Sequence, residues 1–382
     1  MADVLFVAPD LHRGGVGRCV SFIVDEVPHH GFGTSLFLLR GLDHEYEVNN
    51  PEVERGMHVG ESKLKFAAML PIALFRLWRT IQRTKPEIVC SHGLLCNAAV
   101  AVMRTMSRRR FRTVAFEHNA PSSHYSTTSM KGLKTFLLRT LYPRHDVVIG
   151  VSRGVVDDLV TLVPDLQGKC SHIYNGLPVE EVSRQSQEAP PPQTGDAKFS
   201  VVSVGRLAPS KDYKTLMAAA QILDDPDVQF LVIGEGPLEE ELRALNEARP
   251  SRSRVKFLGH LDNPFPAVAA ADIFLLTSVH ESFGIVLVEA LSLGVPVLAT
   301  NCPSGPAEIL SDGEFGVLVP VSNAEAIAEA VRKLLYEREP AKRLRSLGPL
   351  RANDFSLNQH AQRVVDLFRT LIADRKQQPR GV

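Results

Sequence analysis

Along most of the 382 residues, short apolar runs rich in Val, Ile, Leu and Phe alternate with longer segments whose apolar residues recur at helical spacing. Strands buried on both faces read as continuous apolar runs, so the alternation predicts parallel sheets with crossover helices. Strands are expected near 3–8, 34–39, 87–91, 112–117, 146–151 and 171–174, then near 199–204, 228–233, 255–258, 272–277, 295–300 and 316–319. The length exceeds what one core usually supports, and the two series predict two doubly wound α/β domains, at 1–184 and 198–356. A polar, Pro-rich stretch at 185–197 reads as the linker, 357–374 as a terminal helix and 375–382 as a flexible tail. Two such domains are expected to face each other across a cleft at the carboxyl ends of their strands, the usual ligand site of open α/β sheets.

Composition adds a charge asymmetry. Lys plus Arg and Asp plus Glu both total 43, yet residues 62–153 hold sixteen Lys or Arg and only three acids, Glu87, Glu117 and Asp146. Between 63 and 85, Lys63, Lys65, Arg76, Arg79, Arg83 and Lys85 alternate with Phe66, Met69, Leu70, Leu74, Phe75 and Trp78. That pattern suits either a helix lying in an anionic membrane interface or a core-packing helix with a solvated basic face. Arg108-Arg109-Arg110, Lys131 and Lys134 add charge, and no nucleic-acid motif accompanies it. Five scattered cysteines have neither metal-ligand spacing nor a disulfide framework. With no basic leader and no apolar run of membrane-spanning length, a cytoplasmic chain, peripheral at most, is expected.

The chemistry concentrates after strands. In 280–291, Glu281 is placed on a strand-to-helix loop and Glu289 inside the helix, with backbone N–H groups of Phe283, Gly284 and Ile285 unpaired at the helix start, where a phosphate is favoured. The alternative is a carboxylate that only complements the helix dipole and a second one that is merely solvated. Arg206, leaving a strand tip, and Lys211, near a helix start, form a pair able to clamp a diphosphate. Gly14, Gly15 and Gly17 after the first strand depart from the dinucleotide fingerprint but allow close backbone approach. Gly234, Gly236 and Leu261 follow later strands as candidate lips for a base or ribose, and His118 closes a first-domain strand.

Taken in order, Gly14-Gly15, Asn175-Gly176, Gly205-Arg206-Leu207 with Lys211, Gly234-Glu235-Gly236-Pro237 and the Glu281 to Glu289 segment resemble the retaining glycosyltransferases of family 4, which have the GT-B fold. The resemblance covers almost the whole chain. It implies a nucleotide-sugar donor, with Arg206 and Lys211 on its diphosphate and no metal required. It further implies Glu289 on the ribose, Glu281 on sugar hydroxyls, backbone groups of Ser282, Phe283, Gly284, Ile285 and Val286 on sugar and phosphate, Gly15 near the diphosphate, and His118 orienting sugar or acceptor. Residues 301–308 resemble a segment of UDP-sugar transferases, N-acetylhexosamine ones among them. The basic stripe at 63–85 bears on the acceptor, expected to be a saccharide, or a polyprenyl-linked saccharide or glycolipid presented at a membrane. An epimerase or soluble sugar synthase of the same fold, and a catalytically silent partner subunit, are the competing readings; the intact Arg206, Lys211, Glu281 and Glu289 argue against silence.

Overall fold

The computed structural model describes residues 2–12, 14–42, 45–49, 52–57, 63–107, 111–126, 130–188, 197–248 and 251–377. Arg13, Arg108-Arg109-Arg110, most of the linker and the end of the tail lie outside them, as does the side chain of Lys63. The chain divides into two compact units, one comprising Met1–Gly176 with Leu357–Val382 and the other Leu177–Ser356.

The first unit runs β1 (Ala2–Ala8), α1 (Gly15–Glu26), β2 (Phe32–Leu38), β3 (Glu52–Arg55), α2 (Lys63–Thr84), β4 (Ile88–His92), α3 (Leu94–Met106), β5 (Arg112–Glu117), α4 (Pro121–Ser126), α5 (Lys131–Leu141), β6 (Val147–Gly150), α6 (Arg153–Leu162) and β7 (Cys170–His172). Its seven strands lie in the order β3-β2-β1-β4-β5-β6-β7, every pair parallel. The second unit runs α7 (Val179–Gln185), β8 (Phe199–Val204), α8 (Tyr213–Leu223), β9 (Val228–Ile233), α9 (Glu239–Ala248), β10 (Arg254–Gly259), α10 (Phe265–Ala269), β11 (Ile273–Leu276), α11 (Ile285–Ser292), β12 (Val297–Thr300), α12 (Pro306–Ile309), β13 (Val317–Val319), α13 (Ala324–Tyr336) and α14 (Arg338–Asn353). Its six parallel strands are ordered β10-β9-β8-β11-β12-β13. All twelve expected strands are present.

The structure adds β3, whose Glu-Val-Glu-Arg sequence carries no apolar run and sits at the sheet edge, where charge guards against further pairing. It also makes residues 179–185 a helix of the second unit, although the sequence assigns them mainly to the first.

The terminal helix α15 (Leu357–Gln377) continues through Arg375, which the sequence gives to a flexible tail. It belongs to the first unit, where Ala361, Val364, Val365, Phe368 and Leu371 join the core made by β1, α1 and β2. The ring of Phe368 lies 5.8 Å from that of Phe32 and 6.3 Å from that of Phe6. Gly176 makes room for this docking: a Cβ there would stand 2.7 Å from the His360 Cβ and 3.0 Å from the Leu357 Cα.

On the other face of the sheet, α2 and α3 bury Ala73, Leu77, Ile81, Cys96, Val100 and Met103. Phe66, Met69, Leu70 and Leu74 pack against this core, which corrects their placement in an interfacial stripe. Among the described residues, the large exposed apolar side chains of α2 are Ile72, Phe75 and Trp78, with the Phe75 and Trp78 rings stacked 6.0 Å apart. Two cations of that stripe are engaged within the unit: Arg76 donates to the Gly56 carbonyl at 3.0 Å, and Arg83 pairs with Glu54.

Phe368→Ala should cost about 3–5 kcal/mol, since a fully buried ring wedged between two others leaves a cavity that cannot collapse. Urea unfolding of the full chain reads it, and a loss under about 1 kcal/mol would mean that α15 contributes little to the first unit's core.

Candidate functional site

In the second unit the strand order reverses between β8 and β11, so the loops leaving these neighbours diverge and leave a crevice at their carboxyl ends. Four sequence-predicted charged residues, Arg206, Lys211, Glu281 and Glu289, come from the segments that follow these two strands. Arg206 is exposed just past β8, its guanidinium without a hydrogen-bond or ion-pair partner among the described residues. Lys211 ends a short 3-10 turn, Pro209–Lys211, before α8. Its ammonium pairs with Glu281, seventy positions away on the loop after β11. Ser278 Oγ donates to the same Glu281 oxygen at 2.8 Å, and Thr277 Oγ1 donates to the Lys211 carbonyl at 2.8 Å. Glu281 is thus tied to a cation instead of serving only as a dipole-complementing carboxylate.

Glu289 is 5% exposed on α11, between buried Leu287, Val288, Ala290 and Leu291. Burial rules out a merely solvated acid, because a carboxylate is held in such a setting only by polar partners. Gly284 is the N-cap of α11 at φ 93°, a backbone that L side chains rarely adopt, and so turns the loop into the helix. Ile285 and Val286 begin that helix and Ser282 is half-buried beside Glu281. The Phe283 side chain is core, 5.7 Å from the Phe355 ring, so only its backbone is left for a ligand.

Gly234 and Gly236 have a structural reason to be glycine. A Cβ on Gly234, at φ 134°, would collide with the Gly205 carbonyl, and one on Gly236 would collide with the Leu207 carbonyl. The loop after β8 lies against the loop after β9, stitched by Gly205 N to Ile233 O and Leu207 N to Glu235 O, both 2.9 Å. Gly234 N in turn donates to Gly259 O at 2.8 Å, and half-buried Leu261 follows. This packing is what fixes the backbone from which Arg206 leaves.

In the first unit, Gly14 caps α1 in an extended conformation, and a Cβ on Gly15 would meet nothing within 4 Å, leaving the helix start open. Gly17 lets the helix pass the His12 carbonyl, which a Cβ would approach to 2.5 Å. His118 follows β5 and is 7% exposed; its Nε2 lies 2.9 Å from Nδ1 of His92, the end residue of β4.

Beneath it runs a polar network that the sequence reading does not single out. Ser91 Oγ donates to Asn97 Oδ1 (2.7 Å), Asn97 Nδ2 donates to Phe116 O and the Tyr142 hydroxyl (3.0 Å each), and Tyr142 donates to Glu117 Oε2 (2.5 Å). The other Glu117 oxygen accepts from Asn119 N at 3.3 Å. Burial raises the Glu117 carboxyl to about 7 despite these donors. It pushes His118, His145 and His360 down to about 4, and His92 well below its usual range. His92 carries a signal the sequence does offer: like His118 it closes an apolar strand. Among the described residues no group of three or more His, Cys, Asp or Glu is placed to hold a metal.

Comparison with known proteins matches two family descriptions in tandem, Glycosyltransferase Family 4 over residues 13–181 and Glycosyl transferases group 1 over residues 185–350. The N-acetylgalactosamine-N,N'-diacetylbacillosaminyl-diphospho-undecaprenol 4-alpha-N-acetylgalactosaminyltransferase of Campylobacter jejuni is 31% identical over 67% of this chain and 69% of its own. A phosphatidyl-myo-inositol mannosyltransferase of Mycobacterium leprae is 32% identical over 65% of this chain and 66% of its own, just under two thirds of that relative. Among solved structures, HepE of Anabaena in complex with UDP aligns with a TM-score of 0.76 at 19% identity, covering 97% of this chain and all of that one. Sucrose-phosphate synthase of Thermosynechococcus elongatus aligns at 0.78 and 20% identity, covering 98% of this chain and all of its own. At these identities the structural likeness speaks for the fold, a GT-B pair of Rossmann-like sheets.

The titrations set a pH dependence. Between about 4.5 and about 6.5 the unfolded chain binds protons that the folded, buried histidines exclude, so stability rises with pH. Glu117 opposes this, since its folded carboxyl keeps a proton that the unfolded one has released. Glu117→Gln should therefore steepen the rise by about 1.4 kcal/mol per pH unit. Urea midpoints measured across that window read it, and an unchanged slope would place Glu117 in a polar, ionised setting.

Proposed function

The chain belongs to the group 1 glycosyltransferases of family 4, and from that premise we propose that it moves a hexosyl group, with retention, from a UDP-sugar to a membrane-presented lipid-linked saccharide. The observation that carries the donor reading is the pairing of Lys211 with Glu281 where the strand order reverses, with Arg206 exposed at the adjacent strand tip and Glu289 buried under the start of α11.

An ammonium has three donors, so Lys211 can keep Glu281 and still reach a phosphate oxygen, while Arg206 supplies a planar fork. Together they would neutralise the departing diphosphate without a metal. Glu281, held by Ser278 and Lys211, has its second oxygen left to accept from a sugar hydroxyl. Glu289 would accept from the ribose, and the start of α11 at Gly284 would offer backbone N–H groups to phosphate oxygens. In this reading neither glutamate is a nucleophile. The acceptor attacks from the face the leaving group departs, and the leaving phosphate takes the acceptor's proton.

The acceptor reading draws on the surface of α2 and α5. Ile72, Phe75 and Trp78 on the first and Leu133 and Phe136 on the second are exposed, 38% for Trp78 and 61% for Phe136. Lys65, Arg79, Lys85 and Lys131 are exposed on or next to the same helices. Exposed apolar side chains and cations carried on the same helices suit an anionic lipid surface. Both relatives described above carry a lipid in the name of their substrate. No helix of the described residues is long and apolar enough to cross a membrane.

Arg206→Ala and Glu281→Ala should each lower kcat/KM for transfer from the preferred donor by about 10²-fold or more, scored against a panel of UDP- and GDP-sugars. Wild-type turnover in both variants would sink the donor reading. In co-sedimentation, the chain should bind vesicles rich in anionic lipid and not neutral ones, and Phe75→Ser with Trp78→Ser should weaken that binding about tenfold. Equal binding to both vesicle types would exclude the membrane reading.

A further inference from the structure

His92 has no part in the reading above, yet its placement decides what His118 can do. β4 and β5 are parallel neighbours with His92 opposite Phe116, so the ring at the end of one strand meets the first ring beyond the other. His92 is 2% exposed and lies in a stack of rings: 5.0 Å from Phe116 at an interplanar angle of 17°, and 6.1 Å from Phe6 at 23°. The stack holds the plane of the ring, and the polar contacts at its edges set which way its two nitrogens face. Nδ1 meets His118 Nε2 at 2.9 Å, and Nε2 meets the Cys90 sulfur at 3.7 Å.

Burial keeps both imidazoles neutral, so each has one N–H and one bare nitrogen. One proton must therefore lie between them, and its origin settles the tautomer of both rings. Burial also raises the Cys90 thiol, which stays S–H. A thiol sulfur is a poor acceptor and an imidazole nitrogen a good one, so the better pairing has Cys90 donating to His92 Nε2. His92 then carries its proton on Nδ1 and donates it to His118 Nε2. The proton of His118 is left on Nδ1, which has no hydrogen-bond partner among the described residues.

We propose that His92, with Cys90 behind it, is a positioning residue that locks His118 into the Nδ1–H tautomer, so that His118 meets its sugar as a hydrogen-bond donor to a hydroxyl oxygen. That His118 meets a sugar rests on the proposed transferase function and on the role the family resemblance implies for this residue; the tautomer itself does not. In the opposite arrangement, with His118 donating from Nε2, its free nitrogen would be an acceptor and would select a hydroxyl hydrogen instead.

Two-bond ¹H–¹⁵N correlation spectra of histidine-labelled full-length protein near pH 7.5 test the tautomer directly, with His118→Gln identifying the signals. The expected result is His118 protonated on Nδ1 and bare on Nε2. His92→Asn keeps an N–H donor near the Nδ1 position and should preserve this pattern. His92→Leu removes the donor and should shift His118 towards Nε2–H. Finding His118 protonated on Nε2 in the unmodified protein, or unchanged by His92→Leu, overturns the proposal.

Kinetics give the second arm. His92→Leu should lower kcat about tenfold with little change in donor KM, and His92→Asn should restore most of it. A kcat unchanged in His92→Leu despite a changed tautomer also overturns the proposed role of the donor. Complete absence of transferase activity in the unmodified protein would instead count against the proposed function and leave the spectroscopic result standing.

Discussion

The reversal of strand order between β8 and β11 is the constraint on which the second unit's chemistry depends. Chains leaving two adjacent parallel strands towards opposite sides cannot cover the gap between them. What holds the gap in shape is a set of polar ties, Lys211 to Glu281, Thr277 to the Lys211 carbonyl and Ser278 to Glu281. The glycine-lined contact of the β8 and β9 loops, at Gly205, Gly234 and Gly236, fixes the other wall. Side chains with opposite charge are thereby placed on rigid backbone rather than on free loops, the condition under which a polar site can act without first reorganising.

Much of the architecture was legible because the signals are local. A buried parallel strand writes itself as an apolar run, and the twelve expected strands answer to that rule. β3 escapes it: a charged edge strand has no apolar run to show, and pairing with β2 is its only reason to be extended. The docking of α15 was hidden for another reason. Helical spacing gives the buried face but not its partner, and the partners, Phe6 and Phe32, lie more than three hundred residues earlier.

The site was legible where one segment carries it, as in the loop and helix around Glu281 and Glu289. It was illegible where distant segments cooperate. Nothing in the neighbourhood of Ser91, Asn97, Glu117 or Tyr142 announces a chain of hydrogen bonds linking four elements. Gly234 and Gly236 were read as lips for a ligand, whereas contact with the preceding loop already accounts for them. A glycine after a strand reports close approach without saying by what.

The chain passes from the first unit into the second after Gly176 and back after Ser356. Leu177 N donates to Phe355 O at 2.9 Å, and Leu177 bridges to Ser356 alongside, so the outgoing and returning chain run together as the unit begins and ends. The first unit is thus discontinuous, its core closed by a helix that a ribosome makes only after every residue of the second unit. During synthesis the first sheet must wait with the surface meant for Phe368 uncovered, while the later-made sheet has all of its own strands and can finish first. Order of completion is the reverse of order of translation, and an interval with exposed Phe6 and Phe32 is built into the chain's connectivity.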